Sequence, residues 1–139
     1  MRGTRISSGS IWEERVSYSR AVVLPDPGGD WVLVSGTTGY DYAAGTISDD
    51  PAEQARQCFA NIASALEKAG SSLDDLVRIR VYVTSRAVFE AVADVIGEHC
   101  RTSRPANTTV IAPLVTEEMQ IEIEVTARRA AFSAAAHFE

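Results

Sequence analysis

Two segments of strict alternation limit the folds open to this chain more than any other feature. Residues 77–83 alternate an apolar set with a polar one: Val77, Ile79, Val81 and Val83 against Arg78, Arg80 and Tyr82. Residues 119–127 alternate in the same way: Met119, Ile121, Ile123 and Val125 against Gln120, Glu122, Glu124 and Thr126. Successive side chains of a β-strand point to opposite faces. The pattern therefore predicts two strands that each bury one face.

Two helices are predicted from apolar residues at helical spacing. The first covers 51–69, where Asp50 can cap the helix and Pro51 suits its first position. Its inward residues are Ala55, Cys58, Phe59, Ile62, Leu66 and Ala69, and Gly70 ends it. The second covers 86–100 after a Ser85 cap, with Phe89, Val92, Ala93 and Ile96 facing inward.

The rest of the chain is predicted as strands and loops. Residues 16–24 and 31–36 form a β-hairpin across a turn rich in proline and glycine, 37–48 form a loop, and 106–112 form a strand. The fold class is α/β, a mixed sheet of about six strands with both helices on one face. We expect a single domain over residues 1–128 and a flexible tail over 129–139.

Composition excludes several classes of function. The net charge of −6 disfavours nonspecific binding to nucleic acid, which depends on clustered basic residues. No apolar run is long enough to span a membrane, and the first residues lack an apolar signal core, so we expect a cytoplasmic protein. Cys58 and Cys100 have no zinc-binding spacing, and no metal is expected.

The segment Trp31–Val34 is apolar on both faces of its predicted strand. A strand covered on one side only should alternate, so the second face is also expected to be covered. Either another subunit or the chain's own loops can provide the cover. The polar sets on the two alternating strands can pair across that face if the strands are neighbours.

The order of short motifs along the chain resembles that of the reactive intermediate deaminase (Rid) family, also called the YjgF type or endoribonuclease L-PSP. The matching pieces are Tyr18-Ser19, Ser35-Gly36, Gln54-Ala55-Arg56-Gln57, Asn61-Ile62, Leu66, Ala69-Gly70, Val81-Tyr82-Val83, Phe89, Arg104-Pro105-Ala106 and Ile121-Glu122-Ile123-Glu124. They run in the family's order from about residue 16 to residue 127. Each piece is weak alone, and together they are quite specific.

The resemblance implies a chorismate-mutase-like fold, a homotrimer and three small-molecule clefts at subunit interfaces. It further implies hydrolysis of enamines and imines derived from amino acids, with no metal or organic cofactor. In the family an arginine directly after Pro-Ala holds the substrate carboxylate. A glutamate on the last strand helps to place the hydrolytic water.

Carried over residue by residue, the resemblance is incomplete. Glu122 matches the family glutamate, Tyr18 the tyrosine near the cleft, and Ser35 and Gly36 the small residues that end a strand. The arginine position holds Asn107 instead. The family stretch Gly-Pro-Tyr-Ser-Gln-Ala reads Val-Ser-Tyr-Ser-Arg-Ala here, and a frequent asparagine of the second helix is replaced by alanine at position 93.

Asn107 changes what the site can bind. Arginine holds a carboxylate through two charge-assisted hydrogen bonds, whereas asparagine is neutral and shorter. The loss is worth about 1.5–3 kcal/mol of carboxylate binding. Arg20 can replace the missing anchor or can be a surface strand residue. Thr108 can add a hydroxyl beside Asn107 or be an ordinary strand threonine.

Two functions remain open from the sequence. The first is an enamine or imine hydrolase acting on a non-standard substrate, with Glu122 orienting water. The second is a non-catalytic trimer that binds a small metabolite in the same clefts. Cleavage of RNA has little support in an acidic chain without a basic stripe.

Overall fold

The computed structural model describes residues 3–130, and a six-stranded sheet forms its centre. The strands are β1 (Thr4–Ile6), β2 (Ala21–Leu24), β3 (Trp31–Thr38), β4 (Tyr40–Asp41), β5 (Thr46–Ile47), β6 (Leu76–Val83), β7 (Ala106–Ile111) and β8 (Ile121–Arg128). The helices are α1 (Ile11–Val16), α2 (Pro51–Lys68) and α3 (Arg86–His99), with a 3-10 turn at Leu73–Asp75.

The large sheet has the strand order β1-β2-β3-β8-β6-β7, and β4 and β5 form a separate two-stranded ribbon. The two alternating segments are neighbours, because β6 and β8 pair antiparallel in the middle of the sheet. β6 and β7 pair in parallel, and the crossover helix α3 connects them. The predicted mixed sheet of six strands is therefore confirmed, and so is the β2–β3 hairpin.

The core lies between the sheet and helices α2 and α3. All six inward residues predicted for α2 are buried, as are the four apolar residues predicted for the last strand. The caps also form as expected: Asp50 accepts a hydrogen bond from the Glu53 amide, and Ser85 accepts one from the Val88 amide. Gly70 follows α2 with a φ of 74°, where glycine is favoured.

Several local predictions are wrong. Residues 11–16 form a third helix, α1, so the predicted strand at 16–24 begins only at Ala21. The 37–48 loop contains the end of β3 and the whole β4–β5 ribbon. Val77 is 43% exposed because a register shift between Leu76 and Arg78 turns Leu76 inward instead. Phe89 is 37% exposed, and Val88 takes the buried position on α3.

The sheet face away from α2 and α3 is partly apolar and open in the single chain. Leu33 and Val110 on this face are both more than 40% exposed. The expected pairs between the arginines of β6 and the glutamates of β8 are not among the ion pairs of residues 3–130. Tyr82 instead donates a hydrogen bond of 2.8 Å to Glu124 Oε1.

An anchored residue lies next to the end of the described chain. Arg129, which we assigned to the flexible tail, pairs with Asp30 Oδ2 at 2.6 Å and donates to the Ala69 carbonyl at 2.8 Å. The rest of the predicted tail, residues 131–139, lies outside the described residues. In residues 3–130 no helix has the length and hydrophobicity needed to cross a membrane.

Candidate active site

The candidate site forms around a β-bulge in β3. Between Val34 and Thr37 the register with β8 shifts, since three steps along β3 match two steps from Val125 to Ile123. The extra residue falls in the Ser35-Gly36 pair, so the Gly36 carbonyl leaves the regular ladder. Bulges of this kind are frequent beside active sites because they redirect side chains and free backbone groups. The sequence alone predicted a strand end and turn here.

Gly36 makes room for the Glu122 carboxylate of the neighbouring strand. A Cβ atom built on Gly36 would collide with Glu122 Oε2 and come within 3.1 Å of its Cδ. The backbone conformation of Gly36 does not itself require glycine, because its φ is not positive. A side chain at this position would require the Glu122 carboxylate to move.

Glu122 is a half-buried carboxylate with an altered acidity. Burial raises the pKa of its side chain above the ordinary value of 4.5, and the nearby charge of Glu124 adds to the effect. The positive charge of Arg20 acts in the opposite direction and only partly cancels it. A carboxylate with a raised pKa is a stronger base than an ordinary carboxylate, which suits it to proton transfer.

Arg20 lies beneath the bulge rather than on the surface. Its side chain is only 3% exposed, so the interpretation as a surface strand residue is wrong. Its Nη1 atom donates to the freed Gly36 carbonyl at 2.8 Å and to Thr37 Oγ1 at 3.0 Å. The guanidinium thus satisfies the backbone group that the bulge removes from the sheet.

Arg20 also ties α1 to the sheet. Its Nε atom lies 3.6 Å from Glu13 Oε2, and the Glu13 side chain is 7% exposed. The Glu13 carboxylate accepts further hydrogen bonds from the amide and hydroxyl of Ser8. Burial alone would raise the pKa of Glu13, but the Ser8 hydrogen bonds and the Arg20 charge outweigh it and hold that pKa below its ordinary value.

Tyr18 stands beside this cluster, with its ring under the Arg20 guanidinium at 5.5 Å. Arg20 Nη2 donates to Tyr18 Oη at 3.2 Å, so the tyrosine oxygen acts as an acceptor in that bond. The hydroxyl proton of Tyr18 is then free for another partner, and no group in residues 3–130 accepts it in a hydrogen bond. Tyr18 can offer this proton to a ligand.

These residues open onto a cleft of about 780 Å³. It brings together five of the residues selected from the sequence: Tyr18, Arg20, Ser35, Gly36 and Glu122. Sequence reasoning missed the rest of the wall, which is mainly apolar and aromatic: Ile11, Trp12, Val16, Tyr40, Tyr42, Val115 and Met119. One available signal was Ser10 with Glu13 three residues later, a pattern typical of a helix start.

Asn107 and Thr108 lie elsewhere in the chain. Both are on the edge strand β7, two strands away from Glu122 in the sheet order. Asn107 pairs with the buried Ile79 and so faces the α3 side, where its Oδ1 atom accepts a 2.8 Å hydrogen bond from Thr109. It lines a separate groove with Phe89 and other residues of α3. Thr108 points to the opposite face of β7.

No set of three or more histidine, cysteine, aspartate or glutamate side chains within residues 3–130 is placed to hold a metal ion.

Residues 12–129 match the family model described as endoribonuclease L-PSP. This chain belongs to that family. The match includes Tyr18, Arg20, Ser35, Gly36 and Glu122 of the cleft, and it confirms the Rid resemblance drawn from the short motifs.

Members of the same family are similar to this chain in sequence and in fold. A crystal structure of a YjgF/YER057c/UK114 family member from Mycobacterium tuberculosis is 37% identical, with a TM-score of 0.78, covering 91% of this chain and 98% of that one. An uncharacterised Streptomyces coelicolor protein is 30% identical over 91% of this chain and 92% of its own length. The family also includes a Dermatophagoides farinae protein named 2-iminobutanoate/2-iminopropanoate deaminase, 28% identical over 77% of this chain and 81% of its own.

Proposed function

We propose that this Rid-family chain hydrolyses the C=N bond of a small enamine or imine in a cleft that two copies of the chain complete. The observation that carries the proposal is the half-buried Glu122 carboxylate, which lies against Gly36 in the cleft and has a raised pKa. The name of the similar mite protein, an iminobutanoate deaminase, supports the same reaction class.

The chemistry needs one group that moves a proton twice. Water adds to the imine carbon, forming the C–O bond, and one of its protons passes to the Glu122 carboxylate. Glu122 returns that proton to the nitrogen, which gives the neutral carbinolamine. It then takes the hydroxyl proton and passes it to the nitrogen as the C–N bond breaks, so that the carbonyl forms and ammonia leaves. An enamine is first protonated on carbon to give the imine. The raised pKa of Glu122 suits both directions of transfer.

Tyr18 and the bulge position the substrate in this scheme. The free hydroxyl proton of Tyr18 donates to the developing alkoxide or to the nitrogen. Arg20 acts from below as a positioning residue, since it fixes Tyr18 and the Gly36 carbonyl through its own hydrogen bonds. Ser35 is held through its hydroxyl, which donates to the Ser19 carbonyl at 2.5 Å.

We also propose that the protein is a homotrimer whose clefts lie between copies. Leu33 and Val110 leave apolar surface on the open sheet face, and burying such surface favours association. Asn107 lies on the edge strand β7, two strands away from Glu122 and outside its cleft, so a shared cleft would join Glu122 of one copy to Asn107 of the next. Light scattering should give three times the mass of the chain. A monomer mass would contradict the shared cleft.

Ammonia release from an imine generated in the assay by an amine or amino-acid oxidase tests the reaction. Wild type should exceed the spontaneous rate, and Glu122→Gln should lose about 100-fold of the catalysed rate, the usual scale for acid–base catalysis. Glu90→Gln is the control, because Glu90 is an exposed glutamate of α3 that lies outside the cleft. Equal rates for wild type and Glu122→Gln would favour the alternative, a non-catalytic trimer that binds a small metabolite.

A further inference from the structure

The wall of the cleft differs in character from its floor. The floor carries Glu122 and the polar residues of the bulge, whereas the wall is aromatic and apolar. Three of its apolar side chains are strongly exposed: Ile11 at 78%, Val16 at 61% and Val115 at 78%. Exposed apolar surface concentrated around one concave site is typical of a ligand-binding surface.

The cleft offers almost no free positive charge. Arg20 is the single cation among its described lining residues. Its five N–H groups already serve Ser8 Oγ, the Gly36 carbonyl, Thr37 Oγ1 and Tyr18 Oη, so at most one remains. With 3% of its surface exposed, it cannot present a two-pronged contact to a carboxylate.

The apolar wall is held in place by buried polar contacts. The Glu13–Arg20 pair fixes α1, which carries Trp12 and Val16. On the opposite side, the buried Gln54 donates to the Glu118 carbonyl at 2.8 Å and accepts from the Gln120 amide at 2.9 Å. These bonds fix the segment that carries Met119, so both sides are built features of the fold.

We propose that the cleft takes an uncharged ligand bearing an aromatic or branched apolar group, and that Trp12 and Val16 of α1 recognise this group. The inference rests on the proposed function for one point only, that the reacting C=N bond lies at Glu122. The apolar group would then extend towards α1, where about 780 Å³ is available.

A binding experiment tests this without requiring turnover. The probes are phenylacetamide, which is uncharged and aromatic, acetamide, which is uncharged and small, and phenylacetate, which is aromatic and anionic. Calorimetric titration should give phenylacetamide at least about a tenfold lower Kd than either of the others, since burial of the ring supplies the difference. The chain has two tryptophans, so in Trp31→Phe the fluorescence change on binding reports on Trp12.

Variants locate the preference on α1. Val16→Ser should weaken phenylacetamide about tenfold and leave acetamide unchanged. Val77→Ser is the matched control, because Val77 is also exposed but lies outside the cleft. Trp12→Ala should weaken the binding of phenylacetamide further. If Trp12→Ala fails to fold, Val16→Ser still tests the inference.

The inference is overturned if phenylacetate or acetamide binds as tightly as phenylacetamide, or if Val16→Ser changes nothing. It is also overturned if no probe binds because a second copy fills the apolar wall. Selective phenylacetamide binding without imine hydrolysis would remove the proposed reaction and leave this ligand class standing. Hydrolysis of small carboxylate-bearing imines without phenylacetamide binding would overturn this ligand class and leave the proposed reaction standing.

Discussion

Glu13 and Arg20 form an ion pair in which both side chains are more than nine-tenths buried, with Arg20 Nε 3.6 Å from Glu13 Oε2. The pair connects α1, which lines one side of the cleft, to the bulge at Ser35-Gly36 on its floor. One side of the cleft and its floor are therefore held by the same buried cluster.

Arg20→Met should strongly destabilise the protein. It leaves the Glu13 carboxylate without its cation and the Gly36 carbonyl without its donor, and breaking one side of a buried pair costs about 3–5 kcal/mol. Urea unfolding measures the loss. Arg56→Met is the control, since the Arg56–Glu53 pair is 51% and 58% exposed and should contribute about 0–1 kcal/mol. Similar losses in the two variants would contradict the buried cluster.

Glu122→Gln should stabilise the fold at neutral pH while it removes activity. Because the pKa of Glu122 is raised in the folded state, its favourable contribution is present below the unfolded pKa and is lost as pH rises through the folded pKa. The gain in Tm over wild type should therefore be larger at pH 8 than at pH 4. A gain that is absent or larger at pH 4 would show that the pKa is not raised.

Gly36→Ala should reduce imine hydrolysis by about 100-fold, because the new Cβ displaces the Glu122 carboxylate and small misplacements carry large rate penalties. Gly97→Ala is the matched substitution, since a Cβ there meets nothing within 4 Å and α3 favours alanine. Circular dichroism checks that both variants fold. Full activity in Gly36→Ala would contradict the proposed role of the Glu122 position.

Asn107→Arg should improve turnover of carboxylate-bearing imines such as 2-iminobutanoate by about ten- to one-hundredfold in kcat/KM. The physical reason is the two charge-assisted hydrogen bonds that arginine adds, worth about 1.5–3 kcal/mol. Ammonia release from the imine of 2-aminobutyrate measures the gain, with the imine of an uncharged amine as control. An equal gain for both imines would mean that the arginine does not contact a carboxylate.

The sheet and its two long helices could be predicted from sequence because their patterns are long and periodic. The β6 and β8 alternations extend over seven or more residues, and α2 carries both a cap and a glycine stop. Val77 is the exception inside β6. A bulge at Val77 moves one residue out of phase, and alternation alone does not reveal which residue a partner strand skips.

The candidate site was harder to predict because it depends on short elements and long-range contacts. The family resemblance supplied Glu122, Tyr18, Ser35 and Gly36, which the fold brings together. The two interpretations of Arg20 could not be separated from sequence, because nothing local indicates that an arginine beside a strand is buried by a bulge 16 residues away. Six-residue α1 is too short for periodicity, so the apolar wall it carries was missed.

Subunit complementation tests the central claim most directly. Glu122→Gln and Asn107→Trp, which blocks the neighbouring side of a shared cleft, are each expected to be inactive as homotrimers. After unfolding and refolding an equal mixture, random assortment should restore about one quarter of the wild-type rate of ammonia release from an imine, because some clefts then contain Glu122 from one copy and Asn107 from the next. Wild type unfolded and refolded in the same way is the control and should regain full activity. If it does and the mixture is still no more active than the separate variants, an imine-hydrolysing cleft shared between copies is contradicted.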